Sequence, residues 1–251
     1  MNEILEARNL CKSYSSGSVM QHVLRNLNIK IYEGDFTVIM GNSGSGKSTL
    51  LYALSGMDKP TLGNIKYKNE EISGYNNDRL AVFRRKHCGF VFQQMYLNDT
   101  MNVMDNILIS GLLVSKDRKT LKNKAEKFLS AVGLEEECYN KFPSQLSGGE
   151  AQRVAIVRAL INSPEIVFAD EPTGALNSLN ATNVLDVMSQ INEEGQSIVM
   201  VTHDMKTARR ANRILYLKDG IILDELNLGR YTKGDTIRHN LLREFLEGMG
   251  W

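Results

Sequence analysis

The chain is poor in the residues that divide or staple a protein. Its 251 residues include only 4 prolines and 3 cysteines. Pro60, Pro143, Pro164 and Pro172 stand singly at boundaries between patterned segments. No proline- or serine-rich linker, low-complexity tract or internal repeat separates independent domains. Cys11, Cys88 and Cys138 are odd in number and match no zinc or redox spacing, which excludes a disulfide framework and fits a reducing compartment. Excess charge is lacking as well. Thirty basic against 29 acidic side chains leave a net charge of +1, too little for a surface built on nucleic-acid phosphates. The short runs Arg84-Arg85-Lys86 and Arg209-Arg210 read as solvated helix faces. No apolar run approaches the roughly 18 residues of a membrane span. The most apolar stretch, residues 107–114, is far too short, and Glu3 places acid where a secretory leader carries base. The expectation is a cytoplasmic chain that does not enter a membrane by itself.

What is present suffices for a sizeable core, with 42% hydrophobic and 24% charged residues. Leu27, Ile29 and Ile31 alternate with Asn28 and Lys30, as in a half-exposed strand. Residues 36–40, 89–92, 166–169 and 197–201 are short apolar runs of the kind found in buried strands. Residues 214–217 and 221–223 flank Asp219-Gly220 as a terminal hairpin. From about residue 95 to 160 the pattern turns helical, with Leu121, Ala125, Phe128, Leu129 and Val132 at helical spacing. A last amphipathic helix, 235–251, gathers Leu241, Leu242, Phe245, Leu246 and Met249 on one side and is expected to dock on its own domain. Apolar strands separated by helices imply an α/β core with a mostly parallel central sheet. The whole of 1–251 reads as one domain, with the helical stretch 95–160 inserted in it.

Gly41-Asn42-Ser43-Gly44-Ser45-Gly46-Lys47-Ser48-Thr49 fits G-x-x-x-x-G-K-[ST] between an apolar strand and a helix. Glycines let backbone N–H groups turn around an anion, and the helix N-terminus adds positive potential. Lys47 is expected to reach the β- and γ-phosphates of a nucleotide, and Ser48 to ligate Mg²⁺. The strand at 166–169 then delivers Asp170 to its C-terminal end, where α/β sheets bind ligands. Asp170 there is suited to Mg²⁺, and Glu171 to orienting or deprotonating a water. A guanine-reading Asn-Lys-x-Asp is missing: Asn123-Lys124-Ala125-Glu126 ends in the wrong acid. Guanine is therefore disfavoured.

Leu146-Ser147-Gly148-Gly149-Glu150, followed by Ala151-Gln152-Arg153, resembles the signature motif of ATP-binding cassette ATPases. Two glycines would free the backbone at the start of an apolar-faced helix and make a second anion-binding terminus. The resemblance covers residues 4–228 and implies a P-loop NTPase core with an antiparallel β subdomain and an inserted α-helical subdomain. It also implies that Tyr14 stacks on adenine, and that Gln93, with Gln94 as its competitor, touches Mg²⁺ and the attacking water. His203 resembles the switch histidine facing the γ-phosphate. His22, His87 and His239 match nothing and read as surface residues. The resemblance further implies a homodimer, in which Ser147, Gly148, Gly149 and Glu150 of one copy close on ATP held by Lys47 of the other, and a separate integral membrane permease that holds the chain at the inner face of the membrane.

The wider family carries Asp where this chain has Asn177. With Pro172-Thr173-Gly174 before it, that departure resembles the bacitracin-resistance type, which exports or detaches antimicrobial peptides, within a group that includes the lipoprotein-release and macrolide-export ATPases. A sensor kinase would accompany such a system. The alternatives are an ATP-switched scaffold of a membrane complex, such as that of cell division, and a lipoprotein-release ATPase. A DNA-repair or translation cassette is expected to show a long coiled coil, zinc cysteines or a second cassette, and this sequence has none of them.

Overall fold

The computed structural model describes residues 2–17 and 19–251. Along the chain run β1 (Glu3–Ser16), β2 (Val19–Tyr32), β3 (Phe36–Met40), α1 (Lys47–Leu54), β4 (Leu62–Tyr67), β5 (Glu70–Glu71) and α2 (Asn77–His87). There follow β6 (Cys88–Phe92), α3 (Val103–Gly111), α4 (Arg118–Ala131), α5 (Gly148–Leu160), β7 (Ile166–Asp170) and α6 (Ser178–Glu193). The chain closes with β8 (Ser197–Val201), α7 (Met205–Ala208), β9 (Arg213–Lys218), β10 (Ile221–Asn227) and α8 (Ile237–Gly248). It divides into two units, residues 1–82 with 192–251, and residues 83–191.

In the first unit β1 and β2 form a long antiparallel hairpin that buries Leu5, Ala7 and Leu10 beside Ile31, Ile29 and Leu27. β4 adds antiparallel to β1, and β5 to β4. The apolar alternation of β2 is visible in the sequence, but that of β1 is not. Register shifts interrupt β1 between Ala7 and Leu10 and again around Lys12, and Asn9 adopts a left-handed φ of 50°. An amide side chain makes that conformation tolerable: Asn28 Oδ1 accepts from the Asn9 amide at 2.9 Å. The same unit holds a parallel ladder in which β3 lies between β8 and β9, pairing Phe36 with Ile198 and Met40 with Tyr216. All five residues of β3 are buried, as are those of β8, which is why both read as unbroken apolar runs. β10 returns antiparallel to β9 through Asp219 and Gly220, both at positive φ, as a tight hairpin turn requires.

α8 docks on its own unit as expected, through Leu242 and Leu246, while Leu241 stays 44% exposed. Its anchor is polar. Arg238, 2% exposed, donates to the carbonyls of Arg209 at 2.8 Å, Leu228 at 2.9 Å, Gly229 at 3.0 Å and Arg230 at 3.1 Å, and also to that of Ala211. The Arg209-Arg210 pair is not a solvated helix face. α7 ends at Ala208, so the chain turns inward toward β9 and buries Arg210, whose guanidinium lies 4.5 Å from the centre of the Tyr231 ring. His239 is likewise half-buried on the docked face of α8.

In the second unit β6 and β7 pair in parallel, with Phe92 opposite Asp170. α3, α4 and α5 pack on one another, and α5 lies against β6. The helical spacing read over 121–132 is α4, with Leu121, Ala125 and Leu129 inward. Side-chain caps start these helices, Asn102 on the Asp105 amide and Asp117 on the Thr120 amide. His87 is half-buried rather than at the surface, because its Nδ1 meets Glu165 Oε2 at 2.7 Å. The apolar stretch 107–114 divides: Ile107 and Leu108 enter the core, whereas Ile109, Leu112, Leu113 and Val114 remain exposed. Among the described residues no helix is long and apolar enough to cross a membrane.

Candidate nucleotide site

The phosphate half is built in the first unit. Met40 ends β3, residues 41–46 loop, and α1 begins at Lys47 behind Gly46, which is held in the left-handed region. A Cβ on Gly41 would run into the Leu217 carbonyl and come within 2.7 Å of Ser45 Oγ, so only glycine closes this loop against β9. Lys47 is buried, with its ammonium 2.8 Å from Gly41 O and 2.9 Å from Asn42 O. Ser45 is also buried, and its hydroxyl has no hydrogen-bond partner among the described residues. A buried donor of this kind, in a glycine cradle at a helix N-terminus beside an ammonium, fits phosphate oxygens. Asn42, Ser43 and Gly44 form the exposed rim, and Ser48 and Thr49 are half-buried in the first turn of α1. Tyr14, on β1, is 44% exposed and donates its hydroxyl to Asp58 Oδ2 at 2.8 Å. His203 follows β8 on an exposed turn. Asp204 fixes that turn by accepting from the amides of Lys206 and Thr207, while Thr202 Oγ1 accepts from the Asp204 amide.

The second unit carries the acids. Asp170 closes β7, and Glu171 turns the chain at φ 45°, a backbone that non-glycine residues adopt at a cost. The Gly174 amide donates back to Glu171 O at 3.0 Å, which fixes that turn. Gln93, just past β6, lies over it: a Cβ on Gly174 would come within 3.0 Å of Gln93 Nε2. Hard hydroxyl and carboxylate oxygens of the Ser48 and Asp170 type suit Mg²⁺.

Ser147 begins α5 with a reciprocal cap, accepting from the Glu150 amide at 3.3 Å and donating its own amide to Glu150 Oε2 at 2.7 Å. Hydrogen bonding to the carboxyl itself, from the Ser147 side chain first and then its amide, holds Glu150 below its usual pKa. The glycines differ from the sequence reading. Gly148 and Gly149 are not at positive φ, so the freedom of glycine is not used here. What matters is room. A Cβ on Gly149 would fall 2.7 Å from both Cγ and Oδ1 of Asn180. Asn177 caps α6, its Oδ1 accepting from the Asn180 amide at 2.9 Å.

Lys12, Asp58 and Arg158 carry no sequence signal, because each is a lone polar residue outside any motif, and Gln152 stands in the signature stretch with no role that the sequence reveals. Fully buried Gln152 donates to Phe92 O at 2.9 Å, and Arg158 donates to Met95 O and Tyr96 O, each at 2.6 Å.

Residues 24–174 match the family model described as ABC transporter. The chain belongs to the ABC transporter family. It is an ABC-type ATPase, and its relatives are cassettes of the same size or larger proteins that contain one. It is 43% identical over 224 residues to an uncharacterised ABC transporter ATP-binding protein of Methanocaldococcus jannaschii, covering 89% of this chain and all of that one. It is 41% identical over 248 residues to the bacitracin export ATP-binding protein BceA of Halalkalibacterium halodurans, covering 98% of this chain and 96% of the relative. The macrolide export ATP-binding/permease protein MacB of Mannheimia succiniciproducens is 41% identical, but the match takes in only 34% of that longer protein. Among solved structures, the dimeric post-hydrolysis state of the ATP-binding cassette MJ0796, bound to ADP and phosphate, superposes with a TM-score of 0.83 at 38% identity over 91% of this cassette and all of that chain. The mixed α/β fold is therefore that of an ABC ATPase.

Proposed function

We propose that this ATPase energises a separate membrane permease that exports or detaches antimicrobial peptides of the bacitracin kind. The observation that carries the reading is the match to the bacitracin export ATP-binding protein along nearly the whole of both chains. The macrolide relative is named as a joined ATP-binding/permease protein, whereas this cassette spans about a third of such a chain. The permease is then a second polypeptide, and the aliphatic end of α3, with Leu112, Leu113 and Val114 exposed, is the kind of surface that a partner covers. The cassette works as a homodimer at the inner face of the membrane, beside a sensor kinase of the same system.

In this reading the amides of residues 41–49 and the Lys47 ammonium hold the triphosphate, and Tyr14 carries the adenine. Ser48, Asp170 and Gln93 hold Mg²⁺, which when bound supplies charge neutralisation on the phosphoryl oxygens. Glu171 takes the proton of the attacking water, and His203 donates toward the γ-phosphate. The amides that start α5, at Gly148, Gly149 and Glu150, with the Ser147 hydroxyl, face the triphosphate of the second copy.

The test is ATP turnover by the complex of this cassette and its permease in lipid vesicles, measured against bacitracin, other cell-wall peptide antibiotics and macrolides. Stimulation by peptides alone is expected. Stimulation by macrolides alone, or equal turnover with all of them, overturns the peptide assignment.

A further inference from the structure

Tyr14 and Asp58 are 44 positions apart in sequence and meet through a single hydrogen bond, from the phenol hydroxyl to Oδ2 at 2.8 Å. The other carboxylate oxygen, Oδ1, receives the Lys12 ammonium at 2.6 Å and the Lys59 amide at 2.8 Å. Lys12 is itself 9% exposed; it also reaches Lys59 O at 2.7 Å and lies 4.8 Å from the centre of the Tyr14 ring. Asp58 is anchored in turn to α1. Its amide and that of Met57 both donate to Tyr52 O, at 3.0 and 2.9 Å. The helix that presents Lys47 thus ends in the group that holds the ring.

We propose that Asp58 is a positioning residue for nucleotide binding, a latch that fixes the Tyr14 ring as a platform for the base while Lys12 covers its opposite face. The proposal rests on the reading that Tyr14 stacks on adenine. An exposed tyrosine near the turn of a hairpin, with no second contact, is free to swing, and fixing it on binding costs affinity. The latch removes that freedom beforehand. The hydroxyl holds the ring by its edge, and the ammonium on one face leaves the other for a π-stack. The titration shifts agree with the geometry. Burial, then the Asp58 contact, raises the Tyr14 phenol. For Asp58, burial pulls the carboxyl upward but is outweighed by the Lys12 and Tyr14 hydrogen bonds, so it lies below its usual value.

The experiment compares binding of ATP with binding of inorganic tripolyphosphate, which has the phosphates and no base, by calorimetry. Tyr14→Phe keeps the ring and removes the oxygen that Asp58 holds and that the Thr49 side chain also touches; the tripolyphosphate arm separates the second contact from the first. It is expected to weaken ATP about fivefold, the scale of one hydrogen bond to a charged acceptor after partial compensation. Asp58→Ala should weaken ATP at least as much, and the double variant no more than Asp58→Ala alone. Tripolyphosphate should bind all of them alike. If Tyr14→Phe binds ATP as the parent does while Tyr14→Ala binds it weakly, the ring stacks without a latch and the proposal falls. If Tyr14→Ala also binds ATP normally, the stacking reading fails with it. An equal loss for ATP and tripolyphosphate would show that the contact supports the phosphate loop rather than the base. Should Asp58→Ala not fold, Tyr14→Phe, one oxygen smaller than the parent, decides alone.

Discussion

Gly149 and Asn180 are in contact so close that the smallest side chain would not fit between them. A methyl group on Gly149 would lie 2.7 Å from the Asn180 carboxamide. Asn180 is pinned in turn, because its amide donates to the Asn177 cap at 2.9 Å. The start of the signature helix and the start of α6 are therefore fitted as one packed joint. Gly149→Ala is expected to lower stability by about 1–3 kcal/mol through overpacking, read as a lower denaturation midpoint. An unchanged midpoint would mean that Asn180 moves aside at no cost.

Asn177→Asp keeps the capping oxygen, and aspartate caps as well as asparagine. Stability should shift by less than about 0.5 kcal/mol, while the hydrolysis rate changes because a charge is added near a helix start. Calorimetric unfolding and steady-state turnover check the two halves. A large loss of ATP affinity with turnover intact would place this loop elsewhere.

Lys47→Ala should abolish Mg²⁺-dependent ATP hydrolysis, because the buried ammonium in the glycine cradle is lost. Near-normal turnover by the folded variant refutes the phosphate site.

Glu171→Gln should bind ATP yet hydrolyse it about 10²- to 10⁴-fold more slowly, the range for loss of a general base. The uncleaved nucleotide should then hold two copies together, seen as a doubled mass by light scattering with ATP and not with ADP. Parental turnover rules out Glu171 as the base. An inactive variant that stays single with ATP rules out pairing of isolated subunits.

The Asp58 carboxyl lies below its usual pKa, so its ion pair contributes fully above the unfolded-state value and is lost only as pH falls through the lower folded-state value. The melting temperatures of the parent and Asp58→Asn should therefore differ by a constant amount from pH 7 to about pH 5, and the gap should close below about pH 4. A gap that closes at pH 6 would point to another group.

Much of this arrangement is legible in the sequence because it is local. The phosphate loop, the β7 acids and the capped start of α5 each occupy fewer than about ten consecutive residues, and motif and structure coincide there. What escapes is made by residues distant in sequence. β1 hides its alternation behind repeated register shifts and Asn9, and Asp58 is invisible until the fold brings it to Tyr14. Arg210 reads as a surface charge because nothing in its neighbourhood reveals that α7 has already ended and the chain has turned inward. Gly149 is legible as a glycine, but its reason is not, since it depends on Asn180, 31 positions away.

Arg158 and Gln152 give α5 a second duty. Three donors from the side of this helix grip the carbonyls of Phe92, Met95 and Tyr96, the segment that carries Gln93. The strip that carries Gln93 and the helix that begins behind Ser147 are thereby tied together as one piece. That piece runs from the exposed Tyr96 at one end to the amides that begin the helix at the other.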